Sequence, residues 1–142
     1  MPTAHRFWSR IPARHAAACH AGWRGVAAGI LITALDRLVE RGARREDLVV
    51  ALGPAVSGHL YQVGDEVVEA VSAAVPNKTS LSDAGALLPD EQPGRHRLDI
   101  RTAARVQLQG AGIASERIAH CPLCTVSEPE LCLLYTSDAA DE

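Results

Sequence analysis

The feature that most constrains this chain is a helical stripe set between two short apolar runs. From Val26 onward, Ile30, Leu31, Ala34, Leu35, Leu38 and Val39 recur at helical spacing, and Gly42 stands where a C-terminal cap belongs. Upstream, residues 15–20 are mostly small and apolar and give way to Gly22, which predicts a buried strand running into a turn. Downstream, the β-branched run at residues 48–52 predicts a second strand, cut by Gly53 and Pro54.

The same periods organise the rest of the chain. Asp65 is expected to cap a helix whose apolar positions Val67, Val68, Val71 and Val75 lead to a stop at Pro76. Residues 76–97 hold three prolines, two glycines and no sustained period, so they read as a long loop. Asp99 then caps a helix with Ile100, Ala104 and Leu108 on its buried side, and residues 116–120 return as a strand. Helices interleaved with strands predict an α/β (α+β) layered domain with a mixed sheet and flanking helices.

Composition narrows the class. The chain's 142 residues fit one domain, and 47% hydrophobic against 22% charged residues is a globular balance. Aromatic residues are only 4% of the chain, so the core must be assembled from small aliphatic side chains. A net charge of −3 with scattered arginines offers no basic stripe for nucleic acid. No apolar run approaches the roughly 18 residues of a membrane span, and Arg6, Arg10, Pro12 and Arg14 interrupt any secretory core, so a cytoplasmic protein is expected, as a monomer. Cys19, Cys121, Cys124 and Cys132 are spread unevenly, which favours reduced thiols over a disulfide framework.

Chemistry concentrates at one turn, "HAGWRG", residues 20–25. A strand ending at His20 and passing Gly22 and Gly25 into a helix would set backbone N–H groups beside Arg24, a corner suited to anions. Arg24 offers forked donors to phosphate or carboxylate, Trp23 can cover a ring, and His20 can ligate a metal or move a proton. The same residue types fit equally a buried hydrogen-bonded His20, a core Trp23 and a surface Arg24. Cys121 and Cys124 form a single C-x-x-C beside His120, compatible with half a zinc site or a redox pair, although no second pair accompanies it. Cys19 points away from His20 on a strand and reads as a core thiol, and neither His5 nor His15 has a spacing that recommends it as a ligand.

Four segments together, "HAGWRG", "GPAVSGHLYQVG", "LDIRTAARVQLQGAGI" and "CPLCTVSEPEL", resemble in content and order the polyphenol-oxidase or laccase-domain family, the YfiH-like purine nucleoside phosphorylases. The resemblance spans roughly residues 13–131. It implies a cytoplasmic enzyme acting on purine nucleosides with phosphate: phosphorolysis of adenosine, inosine and guanosine, cleavage of methylthioadenosine, and deamination of adenosine. Copper-dependent oxidation of phenols is also attributed to the family. The implied metal, zinc or alternatively copper, sits on a His/Cys/His set of which only His20 maps here. His20 and Arg24 are the implied catalytic residues, and Gly22, Trp23, Arg24, Gly25, Tyr61 and Cys124 the implied substrate and anion site. His59, Gln62 and Ala104 depart from the family pattern.

The resemblance also implies boundaries. Residues 1–131 read as a partial domain with residues 1–12 out of frame, and residues 132–142 as a non-native, adapter-like tail, which leaves Cys132 and Tyr135 without functional weight. With two metal ligands unmatched, the chain is expected to be inactive as it stands. The other expectation is a non-catalytic α/β module that binds nucleotides or anions.

Overall fold

The structure, a computed structural model, describes residues 15–76 and 80–128. The expected boundaries at residues 1–12 and 132–142 lie outside them. The elements in chain order are α1 (Trp23–Ala27), α2 (Ile30–Glu40), β1 (Val50–Leu52), β2 (Gln62–Gly64), α3 (Asp65–Ala73), β3 (Leu87–Leu88), β4 (Arg95–Leu98), α4 (Ile100–Gly110) and β5 (Ile118–His120). Single 3-10 turns at Arg45–Asp47, Gly58–Leu60 and Ser115–Arg117 link them.

The class is the expected mixture of helices with parallel and antiparallel strands, but the two kinds of pairing fall in separate sheets. β1 and β5 pair in parallel, Val50 with Ile118 and Leu52 with His120. β4 runs antiparallel between β2 and β3, with Val63 opposite His96 and Leu87 opposite Leu98. α1 packs on α3 and α2 on α4, closing a core of small aliphatic residues in which Val26, Val71, Leu98 and Leu108 are fully buried.

Four expectations are corrected. Residues 15–20 form no strand; every one of them is exposed, Cys19 included, because alanines supply neither the branched surface nor a partner that would hold an extended segment in a sheet. The first helix is broken in two at Gly29, whose φ of 77° is left-handed, the region that glycine enters without a Cβ clash. Asp65 is the first helical residue rather than the cap, which is Gly64; its carboxylate instead meets His96 Nε2 at 2.6 Å. The segment read as a loop at residues 76–97 contains β3 and most of β4, a two-residue strand and a polar "RHRL" strand that show no alternation to read.

Other readings hold. Gly42 has a φ of 102° directly after Arg41, the C-cap of α2. Asp99 caps α4, accepting from the backbone N–H groups of Arg101 and Thr102 at 3.1 and 3.3 Å.

Among the described residues, one polar side chain lies fully inside the core. Gln107 on α4 donates through Nε2 to the Val26 carbonyl of α1 at 3.0 Å and to the Ala74 carbonyl at the end of α3 at 2.9 Å. Each carbonyl lies at a helix end; that of Val26 also accepts the Gly29 N–H at 3.0 Å, so the amide adds a second donor there and one to Ala74. Gln107→Leu should therefore destabilise the fold by about 1–2 kcal/mol, read by urea denaturation, since Ala74 O loses a donor while Val26 O keeps the Gly29 N–H and the unpaired Gln107 Oε1 is removed. Gln107→Glu should cost more, because it adds a buried charge to the same loss.

Asp90 is nearly enclosed, with 1% of its side chain exposed, and pairs with Arg97 Nε at 2.6 Å. Its carboxyl is held below the ordinary range, first by the Gln92 backbone N–H and next by the Gln62 side-chain amide. A carboxyl depressed by folding contributes stability above its unfolded pKa and loses it as pH falls through the folded value. Asp90→Asn should flatten the acid limb of a stability–pH profile measured below about pH 4 while leaving its neutral shape unchanged.

Candidate functional site

The "HAGWRG" turn begins with His20 in exposed coil and enters α1 through Gly22, an extended N-cap with φ −70° and ψ −179°. Gly22 approaches the His20 ring: a Cβ at Gly22 would lie 3.8 Å from His20 Nε2. Gly25 faces the start of α2, where a Cβ would stand 3.3 Å from Ile30 Cγ2. α1 has only five residues, so its macrodipole is short and the positive charge of the corner rests on the Arg24 side chain.

Trp23 is half-buried and packs against the core, while the exposed Arg24 lays its guanidinium over the indole, 4.8 Å from the ring centroid. Trp23 thus supports Arg24 with one ring face. Tyr61 lies within electrostatic reach of Arg24; burial raises the Tyr61 hydroxyl pKa, and the Arg24 charge opposes that rise. Five implied residues, His20, Gly22, Trp23, Arg24 and Gly25, lie within six consecutive positions, and Tyr61 joins them from a distant segment.

Cys124 lies opposite the start of that segment, on a different stretch of the chain. Ala55 and Cys124 form a parallel bridge beyond the ends of β1 and β5, and the Ser57 N–H donates to Cys124 Sγ at 3.2 Å. Backbone N–H groups of Ser127, Ser57 and Val126, in that order with Ser127 strongest, bring the Cys124 thiol down to about 6 against the opposing effect of burial. Cys124 is therefore mostly thiolate at neutral pH. Gly58, one turn along, is buried where a Cβ would lie 3.0 Å from Asp99 Cβ, so glycine lets this loop close on the α4 N-cap.

Arg101 fixes the other side of the loop, donating through Nη1 to the carbonyls of Cys121 and, at 2.9 Å, Leu123. The Cys121 N–H continues the sheet pattern by donating to Leu52 O at 2.8 Å. Cys121 and Cys124 are thus strung along backbone running beside residues 52–55. Both are free thiols. Ser57 and Arg101 escaped the sequence reading because each acts through backbone groups of residues far along the chain.

Among the described residues, no three His, Cys, Asp or Glu side chains cluster closely enough to hold a metal ion. His20 does not by itself make the three-ligand site that the resemblance implies. No described helix is long and apolar enough to cross a membrane.

The family model for multi-copper polyphenol oxidoreductase laccase matches residues 10–139. The chain belongs to this family. Over 134 residues the laccase-family chain is 37% identical to a purine nucleoside phosphorylase from Synechocystis sp., covering 86% of this chain and 51% of that protein. It is 32% identical over 111 residues to the adenosine deaminase RL5 of an unknown prokaryotic organism, covering 76% and 40%. YlmD from Geobacillus stearothermophilus superposes with a TM-score of 0.70 at 32% identity, over 80% of this chain and 40% of that one. The chain spans about half or less of the length of these relatives.

The amide cradle makes a direct prediction. Alkylation of Cys124 by iodoacetamide, followed by peptide mass spectrometry, should rise with pH around a midpoint of about 6. Ser57→Pro keeps a backbone φ of −68° but removes the N–H, and should move that midpoint upward.

Proposed function

We propose that this chain carries the nucleoside- and phosphate-binding corner of a purine nucleoside phosphorylase and adenosine deaminase, acting in the cytoplasm on adenosine, inosine, guanosine and methylthioadenosine. The observation that carries the reading is the Arg24 guanidinium stacked on Trp23 beside Tyr61, in a chain whose relatives bear those names. Arg24 presents forked donors to the phosphate that attacks the sugar's anomeric carbon. Its stacking on Trp23 limits the rotamers it must lose on binding. Tyr61 supplies a half-buried ring for the purine, and Gly22 and Gly25 keep the backbone low enough for close approach.

His20 is the chain's contribution to the metal, zinc in preference to copper. A metal bound there would polarise a substrate oxygen or a water. Since the described residues do not complete that site, the steps above rest on Arg24, Trp23 and Tyr61 alone. Cys124 lines the same side as an amide-held thiolate. We take residues 1–131 as the partial domain of this proposal.

Zinc content and base release test the proposal together. The 142-residue chain should hold far less than one zinc per chain and release no hypoxanthine or adenine from nucleosides and phosphate. A protein extended with the remaining length of the relatives should gain both. In that protein Arg24→Gln should raise the phosphate KM by about tenfold or more, the loss of a charge-assisted contact. Base release that is indifferent to Arg24→Gln would remove the assignment. The family description also names phenol oxidation. The extended protein loaded with copper should turn over phenols much more slowly than nucleosides, and the reverse ranking would favour the oxidoreductase reading.

A further inference from the structure

We propose a second anion site, separate from the Arg24 corner, at the carboxyl ends of the parallel strands β1 and β5. A cavity of about 200 Å³ opens there, lined by Leu52 and His120 at the paired strand ends and by Arg101, Thr102 and Arg105 from the first turns of α4. Pockets outside the carboxyl ends of parallel strands are the usual ligand position in such sheets. The volume equals roughly seven waters' worth of liquid, room for a tetrahedral oxyanion and part of its hydration.

The charge of the cavity is what selects an anion. Arg101 and Arg105 stand one helical turn apart and both face it. Neither forms an ion pair with a carboxylate among the described residues: Arg101 spends Nη1 on the carbonyls of Cys121 and Leu123, and Arg105 spends Nη2 on the carbonyl and hydroxyl of Ser115. Each guanidinium has five donors, so each keeps its other amino group and Nε for a ligand. The one carboxylate on the wall, Asp99, has both oxygens engaged by the α4 cap, Oδ1 by two backbone N–H groups and Oδ2 by the Thr102 hydroxyl at 2.8 Å. Exposed His120 stands at the mouth and adds a donor. Two half-buried cations facing one cavity, neither ion-paired and together outnumbering the single Asp99 carboxylate, are completed by an oxyanion that takes a forked pair of donors from each.

The site shares no residue with the His20–Arg24 corner, which makes the two separable by experiment. Inorganic phosphate and a sugar phosphate monoester such as ribose 5-phosphate are titrated into the full chain by calorimetry. The titrations are repeated with Arg105→Gln, Arg105→Lys, His120→Gln and Arg24→Gln, after circular dichroism has established that each variant is folded. Saturable binding of inorganic phosphate is expected to survive Arg24→Gln, weaken about tenfold or more in Arg105→Gln, and recover in part in Arg105→Lys. His120→Gln, at an exposed position, should weaken binding by a smaller factor and keeps the test open if Arg105→Gln fails to fold. Tighter binding of ribose 5-phosphate than of inorganic phosphate would identify the ligand as a phosphomonoester, and equal binding would identify the free anion. No saturable binding in the unmodified chain, or binding lost in Arg24→Gln and untouched in Arg105→Gln and His120→Gln, would overturn the proposal.

Discussion

The amide of Gln107 is the contact on which the arrangement of helices depends. Its two N–H groups reach the ends of α1 and α3 from inside α4, so three helices are tied at one buried point by a single side chain. A hydrophobic residue of the same size would fill the space but take a donor from two helix-terminal carbonyls, leaving Val26 with the Gly29 N–H alone. The tie has a directional result. α1 is too short to be stable by its own hydrogen bonding. Held at Val26 and packed on α3, it presents Trp23 and Arg24 at a fixed angle, so the geometry of the surface corner is set from the core.

A second organising element is the loop crossing beyond β1 and β5. Both strands stop after three residues, yet the chains continue side by side to the Ala55–Cys124 bridge. Backbone groups no longer spent on a regular ladder are spent there on side chains: Ser57, Val126 and Ser127 turn N–H groups to the Cys124 sulfur, while Cys121 and Leu123 turn carbonyls to Arg101. Donors gather round the thiolate and acceptors round the guanidinium, so each charge meets the peptide dipole that stabilises it. Gly58 permits the approach that brings these groups onto the α4 N-terminus.

Much of this was legible in the sequence where local chemistry determines structure. The stripes of α2, α3 and α4 emerge because burial and helical period are written in the same residues, as in Val67, Val71 and Val75. The Asp99 cap depends on residues within four consecutive positions and is equally local. Strands were harder, since a strand is defined by its partner. Residues 15–20 have the composition of a buried strand but no pairing, whereas the arginine-rich β4 is central to its sheet because Asp90 and Asp65 take up Arg97 and His96. At the candidate site, His20 through Gly25 were visible as a motif. The Cys124 cradle was not, because Ser57 donates through a backbone group that every residue type carries and lies 67 positions away.

Arg101 belongs to both halves of this architecture, and that sharing has a consequence. It clamps the segment carrying Cys124 through one amino group and lines the neighbouring cavity. An anion seated against its remaining donors would hold the guanidinium in place and so stiffen the clamp, while its negative charge would oppose the thiolate a few residues on. The two effects differ in sign at Cys124: a stiffer clamp holds the N–H groups on the sulfur and lowers the alkylation midpoint, whereas the anion's charge raises it. Comparing the pH dependence of Cys124 alkylation with and without phosphate, in the unmodified chain and in Arg105→Gln, therefore separates mechanical from electrostatic coupling. A phosphate-dependent rise of the midpoint that persists when the clamp is intact and vanishes with Arg105 assigns the coupling to charge.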